Sequence, residues 1–283
     1  MIKKKVSIYI PAYNAENTIR DSILSVKNQI YKFDEILVIN DNSSDDTDKI
    51  LNELSDIKII KNKENKGLGY NRNLGMKESS NELVACIDAD VVLDKHWLEV
   101  MIKNFNEKND TICGGRMEEK LISNKYNLWR SKYYSQNWGK EDIENPPFLF
   151  GCNTIQHKSL WKDVGGYDES LLTNGEDVDY ANKIKNSNKF KLKYCSDALS
   201  EHLQNDNLIT LSNRVWRYHS FGYKIKQPSI IKTIKLSIKQ LKFFVKRSFK
   251  NLASFEFSFI KINFVVLLKF IVLEHKYYKK NKK

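Results

Sequence analysis

Asp88 and Asp90 stand one residue apart at the end of the apolar run Leu83-Val84-Ala85-Cys86-Ile87. In an extended chain alternate side chains share a face, so the two carboxylates are expected to project together, roughly 7 Å apart. Like charges held that close favour a bound cation, and a hard divalent ion such as Mg²⁺ takes one or two carboxylates together with substrate phosphates. The same Asp-Ala-Asp tripeptide also suits a plain turn. Which reading holds depends on the elements around it.

Those elements alternate. Val6–Ile10 reads as a strand, Ala15–Lys27 has helical periodicity, and Glu35–Asn40 reads as a strand that stops at Asp41-Asn42-Ser43-Ser44-Asp45-Asp46, a cluster of capping and turn residues. A helix from Thr47 to Leu54, a strand at Ile57–Lys61, a helix opened by Gly67-Leu68-Gly69 and the strand Leu83–Asp88 follow. This rhythm predicts an α/β fold with parallel strands and ligands at their carboxyl ends. Three of the strands end there in polar or acidic residues: Tyr13-Asn14, Asp41, and Asp88 with Asp90. The second half is less regular, with an aromatic series from Tyr126 to Trp138, a Pro146-Pro147 break, and Gly175-Glu176-Asp177 opening another helix.

With 283 residues, 41% of them apolar, the chain can bury a sizeable core and is not expected to be disordered. The four cysteines lie far apart without a CxxC pair, which excludes a zinc cluster and a disulfide framework and fits a reducing cytosol. No signal peptide is expected ahead of Val6. The net charge of +12 is unevenly placed: residues 226–283 hold fifteen lysines and arginines against two acids, and the remainder is near neutral at −1. A nucleic-acid partner, which would need basic residues over the folded domain, is not expected.

Taken in order, Pro11-Ala12-Tyr13-Asn14, Asn40-Asp41 through Asp45, Asn65-Lys66-Gly67 with Arg72-Asn73, Asp88-Ala89-Asp90, Gly165-Gly166-Tyr167-Asp168-Glu169 and Gly175-Glu176-Asp177 resemble the motifs of family 2 glycosyltransferases over residues 4–220. The resemblance implies a GT-A fold, a Rossmann-like mixed sheet flanked by helices. It also implies an inverting transfer from a nucleotide sugar, a UDP-sugar ahead of a GDP-sugar, to a saccharide or lipid-linked acceptor, assisted by Mn²⁺ or Mg²⁺. By the same resemblance Asp41 and the backbone near Pro11 hold the base, with Tyr13 as its packing surface and Glu16 beside them. Asp88 reaches the ribose or the metal, Asp90 ligates the metal, and His202 falls where some relatives place a further metal or phosphate ligand. Asp177 matches the catalytic base, with Glu176 its acidic neighbour. Arg72 offers a planar fork suited to a base carbonyl or a phosphate.

Each residue also has a plainer reading. Asp41 could cap a helix, Arg72 could be a solvated charge, His202 a structural histidine, and Glu176 an acid favoured by a helix dipole. A nucleotidyltransferase would need a glycine-rich basic loop near the N-terminus, and Pro11-Ala12-Tyr13-Asn14 is not one. An inactive sugar-nucleotide-binding scaffold would have no need of the complete acid set. The aromatic series reads mainly as core, with Trp138 and the Pro146-Pro147-Phe148 loop as candidate acceptor contacts.

Residues 1–225 are thus expected to form the catalytic domain and 226–283 a basic amphipathic tail. In the tail Ile230, Ile231, Ile234, Ile238, Leu241, Val245, Phe249 and Leu252 repeat every three or four residues, with lysines repeating on another face. That pattern suits the plane of an anionic membrane surface, and Phe257–Leu273, interrupted by Lys261 and Lys269, is too short and too charged to span one. The alternative is that these helices pack on protein. A peripheral place at the inner face of the cell membrane is expected.

Overall fold

Val6–Ala12 (β1) is buried along its whole length in the computed structural model, which describes residues 4–105, 110–220 and 229–281. It is followed by α1 (Ile19–Lys27), β2 (Glu35–Asn40), α2 (Thr47–Asn52), β3 (Lys58–Lys61), α3 (Leu68–Glu78), β4 (Leu83–Ile87), β5 (Val91–Leu93), α4 (Trp97–Lys103) and β6 (Thr111–Glu119). Then come α5 (Lys125–Tyr134), β7 (Ile143–Glu144), β8 (Asn153–His157), α6 (Lys158–Asp163), α7 (Glu176–Ser187), β9 (Lys191–His202), α8 (Leu208–Ser220), α9 (Ile230–Ala253) and α10 (Phe257–Asn281). The chain divides into two units, Met1–Lys120 with Gln136–Leu203, and Leu121–Ser135 with Gln204–Lys283.

The first unit is built on one mixed sheet in the order β3-β2-β1-β4-β8-β6-β9-β5, with β7 on the flank of β9. The predicted parallel rhythm holds for β3, β2, β1 and β4. Beyond β4 the direction changes, because β8 runs antiparallel to both β4 and β6. Strand alternation sorts the core into two layers. Ile8 and Ile10 face a cluster with Ile19 and Ile23 of α1, whereas Tyr9 faces Met76 of α3. The second layer requires a glycine: a Cβ on Gly75 would lie 2.3 Å from the Tyr9 ring.

Besides small shifts at the end of β1 and the start of β3, the expected boundaries move in three places. Helix α1 begins at Ile19 rather than Ala15, because the preceding residues turn, with Asn14 at φ +50°. Helix α2 ends at Asn52, short of Leu54. The third shift matters most: β4 ends at Ile87, and Asp88–Asp90 forms a turn closed by a bond from the Val91 N–H to the Asp88 carbonyl (3.1 Å). The chain must turn here for Val91 to pair antiparallel with His202. The two carboxylates are therefore presented by a turn, not by the alternation of an extended strand.

The second unit gathers α5, α8, α9 and α10 around Trp129, Leu211, Val215, Phe259, Ile262 and Val266. Much of the aromatic series is core here, as expected, and Trp129 donates to Asn263 (2.8 Å). Asp206 is closed off between Arg130 (3.1 Å) and Arg214 (3.3 Å). Arg247 turns inward, with its guanidinium carbon 4.8 Å from the Tyr134 ring centre and 5.2 Å from that of Trp129. Helix α5 thus belongs with the C-terminal helices, although its sequence falls within 1–225. The expected boundary at 225–226, Lys226, Lys282 and Lys283 lie outside the described residues. Among the described residues no helix is long and apolar enough to cross a membrane.

Candidate active site

Two loops at the carboxyl edge of the sheet are laced together. The Asn14 N–H donates to Ser43 Oγ (3.0 Å), the Ser44 N–H to Asn14 Oδ1 (2.8 Å), and the Asp46 N–H to Glu16 Oε2 (3.0 Å). Glu16 is thereby occupied with bracing the loops. Tyr13 stands at their rim with 53% of its surface exposed, open for a planar ring to pack on. Pro11 lies within β1 in register with Ile39.

Asp41 follows β2 and is 3% exposed. It does not cap α2, where Asp46 holds the N-cap position. Its carboxylate accepts from Asn62 Nδ2 (2.6 Å), the Lys66 N–H (2.9 Å) and the Gly67 N–H (2.9 Å). Those bonds fix the loop that leads into α3, where Gly67 has φ +84° and a Cβ would meet the Leu172 carbonyl at 2.7 Å. A carboxylate offers about four lone-pair sites, so three donors leave room for one more, such as a base N–H. Asn62 was not singled out from the sequence; it follows a short strand in an asparagine-rich stretch and carries no local signal.

Arg72, the fork expected on a base or phosphate, points into the protein. It is 1% exposed, and its donors reach Glu176 Oε1 (3.1 Å), Asp88 Oδ1 (3.1 Å), the Gly151 carbonyl (2.7 Å) and Cys86 Sγ (2.9 Å). Of the five N–H donors of a guanidinium, four are thus engaged by the protein. The neutral partners, Gly151 and Cys86, had no signature in the sequence.

Glu176 and Asp177 open α7 after Gly175, which takes a left-handed φ of +91°. The N-terminal amides of a helix favour carboxylates there. Glu176 is nevertheless buried, and burial, with the neighbouring Asp177 charge, raises its pKa to about 7 against the pull of Arg72. Its Oε2 has no hydrogen-bond partner. Burial likewise raises Asp177, opposed by Arg72. Burial also raises Asp88, and Arg72 opposes that shift too. The sequence-predicted Arg72, Asp88, Glu176 and Asp177 thus come together from α3, the β4–β5 turn and α7.

Asp90 faces a different partner. Its Oδ2 lies 3.3 Å from His202 Nε2, and His202 Nδ1 lies 3.1 Å from Glu119 Oε2. Burial acts to lower the histidine, but the ion pairs with Asp90 and Glu119 overcome it and raise the pKa to about 9. Glu119, at the end of β6, is a residue the sequence reading did not pick out; only the parallel register of Glu119 with His202 brings it there.

Among the described residues no group of three or more His, Cys, Asp and Glu is gathered as a metal cage. A site completed by substrate phosphates needs less. Hard oxygens of Asp88 and Asp90, whose side chains are 30% and 28% exposed, suit a hard divalent ion. His202 fits less simply, since its Nε2 is held in an ion pair with Asp90.

The sequence profile described as glycosyl transferase family 2 matches residues 7–165. The chain belongs to glycosyl transferase family 2. This family 2 chain is 29% identical over 286 residues to a poly-β-1,6-N-acetyl-D-glucosamine synthase of Staphylococcus epidermidis, covering 93% of this chain and 65% of the relative. It spans about three fifths of the length of the curated relatives it matches. Among solved structures it resembles the mannosyltransferase PcManGT of Pyrobaculum calidifontis in complex with GDP-Man and Mn²⁺, at TM-score 0.65, 13% identity and coverage of 100% and 89%. It also resembles Staphylococcus aureus TarS 1-349 in complex with UDP, at TM-score 0.59, 18% identity and coverage of 98% and 92%. These likenesses establish the GT-A fold of this family 2 chain. The family profile stops before Glu176, Asp177 and His202.

Proposed function

We propose that this chain is a metal-dependent, inverting glycosyltransferase that moves a hexosyl or N-acetylhexosaminyl group from a UDP-sugar, in preference to a GDP-sugar, to a saccharide or lipid-linked saccharide. The observation that carries this reading is the Arg72 bridge, which joins the Asp88 turn to the N-terminus of α7, where Asp177 stands. It couples the acids suited to the donor diphosphate with the acid suited to the acceptor hydroxyl. The relatives named above, a polysaccharide synthase and structures holding UDP or GDP-Man, support the class of substrate.

In this reading Asp41 takes a base N–H on its remaining lone pair, with the ring against Tyr13 and the backbone near Pro11. Asp88 and Asp90, with His202 beside them, would hold Mn²⁺ or Mg²⁺. Such an ion would neutralise charge developing on the leaving diphosphate. Asp177 accepts the proton of the acceptor hydroxyl as its oxygen attacks the anomeric carbon. The new C–O bond forms opposite the breaking bond to the nucleoside diphosphate, so the configuration inverts. A raised carboxylate pKa suits a general base working near neutrality. Trp138, whose indole N–H donates to the Phe148 carbonyl (2.9 Å), is proposed to lie along the acceptor. The reaction is placed at the inner face of the cell membrane, in cell-surface glycan assembly.

The test is nucleoside-diphosphate release from a panel of nucleotide sugars, with and without Mn²⁺ and with a saccharide acceptor. Metal-dependent release from one donor, lost in Asp90→Ala, supports the proposal. If no donor is turned over and neither UDP nor GDP binds in the presence of metal, the proposal fails.

A further inference from the structure

Helix α9 is inside out by the standard of a helix packed in water. The side chains it buries are Thr233, Leu236, Gln240 and Asn251, three of them polar. The apolar residues Ile234 (51%), Ile238 (49%), Leu241 (49%), Val245 (42%), Phe249 (69%) and Leu252 (52%) are exposed instead. At 3.6 residues per turn they form one stripe, and Lys235, Lys242 and Lys246 form a second stripe about a quarter of a turn round the helix. Helix α10 packs Phe259, Ile262, Val266 and Phe270 inward in the ordinary way, but it too buries an acid and leaves apolar side chains outside. Glu274 is 2% exposed and accepts from Ser220 Oγ (2.7 Å) and Trp216 Nε1 (3.0 Å), while Phe264 (52%), Leu268 (46%) and Val272 (48%) are exposed.

A contiguous apolar stripe of this length is unfavourable against water and marks a contact surface. Its chemistry selects the occupant. Helix α9 contains no acid, so a second copy docked stripe to stripe would set lysines near lysines. A bilayer interface satisfies both stripes together. Apolar side chains enter the acyl boundary, and flanking lysines extend along their own stems to anionic phosphates.

We infer that α9, with α10 behind it, lies in the plane of an anionic membrane surface, with Ile234, Ile238, Leu241, Val245, Phe249 and Leu252 inserted and the lysine stripe on the headgroups. The lysines flank one side only, so the helix rolls toward that side. This rests on the peripheral placement proposed above and not on the transfer chemistry, so binding is measured without turnover.

The full chain is mixed with vesicles of phosphatidylcholine alone or with phosphatidylglycerol and sedimented. Binding to the anionic vesicles, weakened by raised salt, is the expected result. The double variant Ile238→Ser/Phe249→Ser weakens it by more than about tenfold, with circular dichroism and nucleoside-diphosphate binding unchanged. Lys242→Glu/Lys246→Glu removes the preference for anionic lipid. Failure of the wild-type chain to bind anionic vesicles overturns the inference, as does a solution dimer that the Ile238→Ser/Phe249→Ser variant splits. A chain that transfers sugar and ignores vesicles counts against this inference alone. One that binds vesicles and turns over no donor counts against the transfer reading alone.

Discussion

Arg72 Nε lies 3.1 Å from Glu176 Oε1, although 104 residues separate them in sequence. Both side chains are almost wholly withdrawn from water, at 2% and 3% exposure. A buried ion pair of this kind is weak evidence for stability, because desolvation offsets much of the attraction. Its use here is geometric. It holds the first turn of α7 at a fixed distance from the turn that carries Asp88.

Removing one partner of that pair is expected to be costly. Arg72→Met leaves Asp88 and Glu176 without their common cation and should lower unfolding stability by about 3–5 kcal/mol. Glu176, already raised toward neutrality by burial, would take up a proton in response. Urea unfolding of Arg72→Met, Glu176→Gln and the double variant checks this. Coupling energy indistinguishable from zero would mean that the pair is not energetically joined.

Asp177→Asn should reduce turnover by about 10²–10⁴, the usual contribution of a positioned general base. Affinity for the nucleoside diphosphate, measured by calorimetry, should not change. Glu176→Gln should retain more activity, because the amide can still accept from Arg72. If Asp177→Asn turns over at the wild-type rate, another group is the base.

Acid should loosen the helical unit well before the general acid denaturation of carboxylates. His219 is held far below its ordinary value, at about 3, by burial first and then by Lys239 and Arg247. Tyr134, 2.9 Å from its Nε2, is another titratable group against it. The folded pKa is depressed, so the unfolded chain binds the extra proton. Stability is full above the unfolded value near 6.5 and is lost as pH falls toward 3, on the order of 5 kcal/mol in all. Hydrogen exchange of α8 amides as a function of pH should show this slope, and His219→Gln should flatten it.

Gly75→Ala should destabilise the chain by about 1–3 kcal/mol, because the added methyl meets the Tyr9 ring at 2.3 Å and α3 must lift from the sheet. Tyr9→Leu in the same background should recover part of the loss, as read from the thermal midpoint.

The parallel half of the sheet was legible because βαβ units write hydrophobic runs and turn clusters in strict alternation. Residues with charge and a motif, Asp41, Asp88, Asp90 and Glu176, were legible as candidates for the same reason. Their partners were not. Nothing in the local pattern ties Arg72 to Gly151, or His202 to Glu119, since those meetings depend on strand register and on α7 folding back over the sheet. Arg72 shows the limit most clearly: both sequence readings, ligand fork and solvated charge, put it outward, and the fold turns it in. In the tail, periodicity identified the α9 stripe but not its direction. That depended on which face offered Thr233, Gln240 and Asn251 to the neighbouring helices.

All four cysteines are buried free thiols; burial pushes Cys86 up to about 12 and Cys152 well above its ordinary value, and a hydrogen bond with Cys195, ahead of burial, does the same for Cys113. A thiol that neither reaches solvent nor ionises is a poor nucleophile. The native chain is therefore nearly silent to maleimide reagents while folded. A single cysteine introduced on an exposed position of α9 would be the dominant label site, so a fluorophore or spin probe could follow that helix without first stripping the protein of its own sulfur.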